Sequence, residues 1–246
     1  MSLDLVQGKY IHLKPIHSLN KLKKLQMDLK QLSKIQHGWV LFLVDFVLPI
    51  PLTILMIYLW YIRTHNLAFA LYVLVLPLLF GYIMPGIGTN VLKLWAFKWK
   101  MMRMGNYFIH HGFMYAPYFA MSLYFTFGEI QQLTIVHMLT IVISNAFMQC
   151  FLTSWHDYWG VKSGMIEIYN KPFREGKSSA EIILDYGPIG YALFGGSYAI
   201  ASIIAFQYLI QKPSFTVLNF IYLIVLGLCI MGITGIHYVI RERKRR

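Results

Sequence analysis

The stretch LAFALYVLVLPLLFGYIM, residues 67–84, decides the fold, because no charged residue interrupts it. A helix crossing about 30 Å of hydrocarbon needs about 20 predominantly apolar residues. This stretch is the shortest of six that meet the requirement; the others run over 39–62, 107–127, 133–152, 188–210 and 215–240. None shows the period-2 alternation of a membrane barrel strand, so the expected class is all-α, a polytopic bundle of six transmembrane helices. Pro85-Gly86-Ile87-Gly88 is expected to end the second span abruptly. Trp39, Trp60, Trp95, Trp99, Tyr107, Trp155, Trp159 and Tyr238 collect at the predicted ends, as an aromatic belt at headgroup level does.

Composition agrees. Hydrophobic residues make up 57% of the 246 and charged residues only 13%, against about 25% charged in soluble domains. That excludes a soluble domain and a disordered or collagen-like chain. Two cysteines, Cys150 and Cys229, both inside apolar runs, exclude a disulfide scaffold. The formal net charge of +12 points first to nucleic acid. Its distribution explains it otherwise. Of the 22 Lys and Arg, 20 fall before the first span, in loops 85–106 and 153–187, or in the last six residues, leaving Arg63 and Lys212 on the other side. By the positive-inside rule both termini and both long loops are cytoplasmic, and no nucleic acid is called for.

The expected organisation is a cytoplasmic tail over 1–38, a six-span domain over 39–240 and a basic tail over 241–246. No cleavable signal peptide is expected, since the first apolar run starts only at Trp39. Before it, Leu19, Leu22, Leu25, Leu29, Leu32 and Ile35 recur at helical steps, with Lys21, Lys23, Lys24, Lys30 and Lys34 over most of the remaining face. This pattern predicts an amphipathic helix on the anionic inner leaflet of the cell membrane, or one docked on a partner membrane subunit.

Ionisable groups inside spans cost about 2.5–3.5 kcal/mol on insertion scales, so each needs a reason. On the predicted topology Asp45, His110, His111, His156, Asp157 and His237, contributed by four spans, all fall in the cytoplasmic half, and only His137 lies toward the outside. Asn145, Gln149, Thr153 and His156 step by four, four and three, one stripe of a helix. Such stripes face the bundle interior. Asn106 stands one turn before His110. The six groups are candidate ligands of a metal: imidazole and carboxylate suit zinc, iron or copper, and haem is the other option. Two further readings use the same residues, as interfacial histidines bonded to headgroups and neighbouring helices, or as a proton or ion pathway. If they converge, the fourth span must tilt or unwind near Thr153.

Several signatures fail. Gly176-Lys177-Ser178 lacks the glycine a phosphate loop needs five residues earlier, where Lys171 stands. Ser178-Ser179-Ala180-Glu181 reads instead as a capping box opening a short helix that ends at Gly187-Pro188. Gly195-Gly196-Ser197 departs from a rhomboid-type motif at Tyr198. The cytoplasmic-side histidines resemble those of membrane desaturases and hydroxylases, but the HxxxH and HxxHH boxes are absent. In the long 153–187 loop, Lys171, Arg174 and Lys177 are candidate contacts for a phosphate headgroup or another anion. The expected function is a membrane-embedded metal-dependent oxidoreductase acting on a lipid-soluble substrate. The alternative is a non-enzymatic accessory subunit of a membrane complex, or a transporter.

Overall fold

A computed structural model describes residues 38–128, 133–211 and 216–243. The amphipathic stretch over 19–35 and the last three residues lie outside them. The described chain is all-helical apart from four short strands. Helix α1 (Gly38–Phe42) runs into a π-helical turn over Leu43–Val47, then bends by 51° into α2 (Pro49–Thr64). The π turn leaves the Leu48 amide bonded to the Leu43 carbonyl at 2.9 Å. Pro49, which has no amide hydrogen to lose, opens α2. The stretch 39–62, read from the sequence as one span, is therefore two helices meeting at an angle.

Helix α3 (Leu67–Pro85) is capped by the Asn66 side chain, which accepts from the Phe69 amide at 3.0 Å. Pro85-Gly86 does not stop it: the chain continues as a π-helical turn over Gly86–Val91. A proline at the end of a helix disrupts only the turn before it, and a π turn absorbs that disruption. Strands β1 (Trp95–Phe97), β2 (Arg103–Met104) and β3 (Tyr107–Phe108) follow, then α4 (His111–Thr126), α5 (Ile135–Lys162), β4 (Ile166–Ile168), the short α6 (Lys171–Arg174) and α7 (Ser179–Leu184), and finally α8 (Gly187–Gln211) and α9 (Val217–Arg243).

Among the described residues four helical segments are long and apolar enough to cross a membrane: Leu67–Val91, Ile135–Lys162, Gly187–Ile210 and Val217–Arg241. The bent pair Gly38–Val47 and Pro49–Thr64 makes a fifth if it is one span. The third predicted span is shorter than its apolar run. Tyr107–Phe108 pairs with Arg103–Met104 in a β-hairpin, leaving α4 at 16 residues, about 24 Å at 1.5 Å per residue. The fourth is longer, since α5 continues unbroken past Leu152 to Lys162. Ile54, Val136, Phe147, Phe151, Leu218 and Ile233 stand exposed on the outside of these helices. Such a surface fits lipid and not water, and the chain is a membrane protein.

Inside, α3 packs against α2, α4, α8 and α9, and α5 packs chiefly on α8. The α3–α4 crossing is close at Gly112, where a Cβ would meet the Tyr82 ring at 2.4 Å and the Leu78 carbonyl at 2.5 Å. Small residues at such crossings let membrane helices gain van der Waals contact. One core cluster is built around Trp60, Phe69, Phe127 and Phe206. A second gathers Leu41, Phe97, Phe108, Met114, Met165, Ile166 and Ile183 at the strand-bearing end. There β1 pairs antiparallel with β4, Ala96 opposite Glu167, and forms a floor beneath the helices.

Candidate functional site

The polar stripe on α5 faces inward along its length. Asn145 and Gln149 are buried. The Asn145 amide donates to the Gly195 carbonyl at 2.7 Å, and the Ser122 hydroxyl donates to Asn145 Oδ1 at 2.9 Å. Gln149 Nε2 donates to Ser122 Oγ at 2.6 Å, and the Thr153 hydroxyl donates to Gln149 Oε1 at 3.2 Å. Gly195 makes this possible. A Cβ there would stand 2.6 Å from the Asn145 carbonyl, so only glycine lets α8 lie this close to α5.

One turn further along α5 the ladder ends in a buried ionisable centre. His156 Nε2 donates to Asp45, 2.9 Å from Oδ1 and 3.1 Å from Oδ2, and His156 Nδ1 stands 3.1 Å from Asp157 Oδ1. Carboxylates only accept, so with both ionised the ring between them carries a hydrogen on each nitrogen. The other Asp157 oxygen accepts from the Tyr186 hydroxyl at 2.6 Å and from the Tyr191 hydroxyl. No unwinding near Thr153 is needed, because the bend between α1 and α2 brings Asp45 to an intact α5.

Asp45 lies in the π turn, a distortion that recurs at functional sites. Two carbonyls there are taken by side chains from α4 and its cap: His110 Nε2 donates to the Asp45 carbonyl at 2.9 Å, and the Tyr118 hydroxyl to the Val44 carbonyl at 2.6 Å. His111 is buried between the rings of Phe97 and Tyr115, with centroids at 4.7 and 5.2 Å. Neither of its ring nitrogens has a hydrogen-bond partner among the described residues, nor does Nδ1 of His110.

These groups surround a cavity of about 230 Å³. Asp45, His111, Gln149, Thr153, His156 and Asp157 form its polar side. Tyr115, Phe119, Met121, Leu152 and Trp155 form the apolar one. Trp155 is exposed and Met121 and Leu152 are half-buried, so the cavity reaches the outside of the bundle between α4 and α5. A smaller space of about 80 Å³ shares Phe97, Tyr115 and Asp157 with it and extends toward Tyr186 and Tyr191.

Comparison with protein families, curated proteins and solved structures finds no match. The site must therefore be read from its own residues. Of the six sequence candidates, Asp45, His110, His156 and Asp157 are joined by hydrogen bonds, and His111 lines the same cavity. The side chain of His237 lies outside the described residues. His137 is elsewhere: its Nε2 donates to the Phe127 carbonyl at 3.2 Å, finishing the end of α4. Asn106 is not on the helix of His110; it sits in the β2–β3 turn, its amide donating to Asn90 Oδ1 at 2.8 Å.

Among the described residues no group of three or more His, Cys, Asp or Glu is arranged to hold a metal ion. Both nitrogens of His156 are already used, so the donors with spare nitrogens are His110 and His111. Lys171 and Arg174 face their own segment: Lys171 pairs with Glu175 at 3.7 Å, and Arg174 donates to the Tyr169 carbonyl at 2.7 Å. The capping box at Ser178 and Glu181 forms as read, and hydrogen bonds from Ser178 hold the Glu181 carboxyl below its ordinary range. Beside it, Asp185 accepts from Arg241 at 2.9 Å and from Asn170 at 3.2 Å, fastening α9 to the end of α7 and the start of α6.

Proposed function

We propose that this chain is a membrane-embedded enzyme that acts on a lipid-soluble substrate, with proton transfer at the Asp45–His156–Asp157 centre. In this reading all six apolar stretches cross the plasma membrane and both termini face the cytoplasm. The short α4 and the bent α1–α2 pair are then spans of a locally thinned or tilted region. The observation that carries the reading is the cavity: ionisable groups line its inner side, and apolar walls lead out between two helices. A hydrophobic molecule can enter such a cavity from the bilayer without crossing water. His156, held by two carboxylates, is placed to give or take a proton, and Tyr186 and Tyr191 stabilise the charge on Asp157.

Membranes from cells expressing the wild type and His156→Gln, compared by untargeted lipid mass spectrometry, test this. At least one lipid-soluble compound should change in abundance between the two. Identical profiles would overturn the enzyme reading and leave an accessory subunit or a transporter. Cysteine labelling tests the orientation: residues 93–103 and 160–180 should be reached only from the cytoplasmic side, and residues 64–65 only from outside.

One observation favours a second reading, a metal-dependent oxidoreductase. The buried nitrogens of His110 and His111 that lack hydrogen-bond partners among the described residues are imidazole donors of the kind that iron, copper or zinc accept. A metal there would supply Lewis-acid or redox chemistry, with His156 and Asp157 adjusting protons around it. Haem fits least: the cavity of about 230 Å³ is below the roughly 300–1,000 Å³ of pockets for drug-sized ligands. Elemental analysis of purified protein decides this reading. Stoichiometric metal, lost in His111→Ala and kept in His137→Ala, supports it; metal-free protein ends it.

A further inference from the structure

Resting on the reading of a lipid-soluble substrate, we infer that the cavity takes the protonated amine head of an amphiphile, with Asp45 as its counter-ion and His111 as its hydrogen-bond acceptor. The charge balance is the first argument. Asp157 accepts from three donors, two hydroxyls on one oxygen and an imidazole N–H on the other, an arrangement suited to a carboxylate and not to a carboxylic acid. Asp45 lies against the same imidazole through both of its oxygens. Two carboxylates thus share one imidazolium. No Lys or Arg is among the described residues lining the cavity. Among the described residues one negative charge is left without a partner in a low-dielectric setting, where a bound monocation stabilises it.

His111 is a second, independent argument. A neutral imidazole has one N–H and one lone pair, and His111 is 1% exposed with no partner for either among the described residues. An ammonium N–H supplies the donor that the lone pair lacks. The walls are a third: the Tyr115, Tyr118, Phe119 and Trp155 rings offer π faces that attract a cation. Met121 and Leu152 line the way out and suit an alkyl stem. A carboxylate or phosphate head would be repelled by the carboxylates, and an alcohol would leave the charge unmatched.

The test uses the full chain in a neutral maltoside detergent at pH 7.5 and three probes of equal chain length: decylamine, decyltrimethylammonium and decanol. Affinity is read from the rise in unfolding temperature with probe concentration. Decylamine should bind at least about ten-fold more tightly than decanol, with decyltrimethylammonium, which has charge but no N–H, in between. In Asp45→Asn the preference for decylamine over decanol should fall below about two-fold; if that variant does not fold, the wild-type ranking decides alone. Equal binding of decylamine and decanol overturns the ammonium assignment while leaving the lipid-soluble substrate standing. Decyltrimethylammonium binding as tightly as decylamine overturns the role of His111. Binding of none of the three overturns both this inference and the reading on which it rests.

Discussion

Asp157→Ala tests the buried centre most directly. The side chain accepts from His156 Nδ1 at 3.1 Å, from the Tyr186 hydroxyl at 2.6 Å and from the Tyr191 hydroxyl. Truncation removes the acceptor of all three hydrogens, and Tyr186 is only 8% exposed, so water cannot readily replace the carboxylate. Each buried polar group left without a partner costs about 1–3 kcal/mol. Removing one member of a buried charge pair costs about 3–5 kcal/mol, and the loss should fall in that range. Asp157→Asn keeps one acceptor oxygen for the tyrosines and loses the charged contact with His156, so it should cost about 1.5–3 kcal/mol. Reversible unfolding in mixed micelles with increasing SDS, followed by tryptophan fluorescence, measures both. Repeating Asp157→Ala with Tyr186 and Tyr191 changed to Phe removes two of the stranded donors and should shrink the penalty by about 2 kcal/mol. An Ala variant within about 1 kcal/mol of wild type, or a penalty unchanged in the Phe background, refutes the reasoning.

Gly195→Val should destabilise the protein by about 1–3 kcal/mol in the same assay, because its Cβ would sit 2.6 Å from the Asn145 carbonyl and prise α8 from α5; wild-type stability would contradict the close crossing. Lys98 pairs with Glu167 across the floor at 2.7 Å, and this contact, with Tyr169, holds the ammonium above its ordinary 10.5. The stabilisation is therefore complete at neutral pH and lost as pH rises through the raised value. Both side chains are more than a third exposed, so Lys98→Met should cost under about 1 kcal/mol, with the gap to wild type closing in strongly alkaline buffer. A gap that persists there excludes the ion pair as its cause. A peptide of residues 18–37 should bind anionic vesicles and lose affinity as salt rises, because its Lys face is screened; equal binding to neutral vesicles removes the electrostatic half of that expectation.

The long apolar helices were legible because a membrane span declares itself by length and absence of charge. The α5 stripe was legible because four polar residues at helical spacing have one face to share. The shortening of α4 was not, since Tyr107 and Phe108 are as apolar as a span and only pairing with Arg103 and Met104 makes them a strand. The bend before Pro49 was not, because a proline in the first turn of a helix and a proline inside one read alike in a hydrophobic run. Tyr186 and Tyr191 were missed as partners of Asp157. The available signal was that a carboxylate next to a span must be satisfied by nearby donors, and tyrosines on both sides of Gly187-Pro188 are such donors. The burial of His111 among aromatic rings was not legible, because it depends on tertiary packing that spacing does not encode.

The bond between Asp45 and His156 joins positions 111 residues apart. On a ribosome adding about 5–20 residues per second, the carboxylate is made roughly 6–22 s before its imidazole partner exists. During that interval the first helices cannot settle in their final place without burying a bare charge. Asp45 gains its imidazole partner only once α5 has been made. The β1–β4 floor, whose halves are synthesised with α4 and α5 between them, closes only then. The strand-bearing end of the bundle is therefore completed only after α5 and β4 have been made, although β1 comes before both helices.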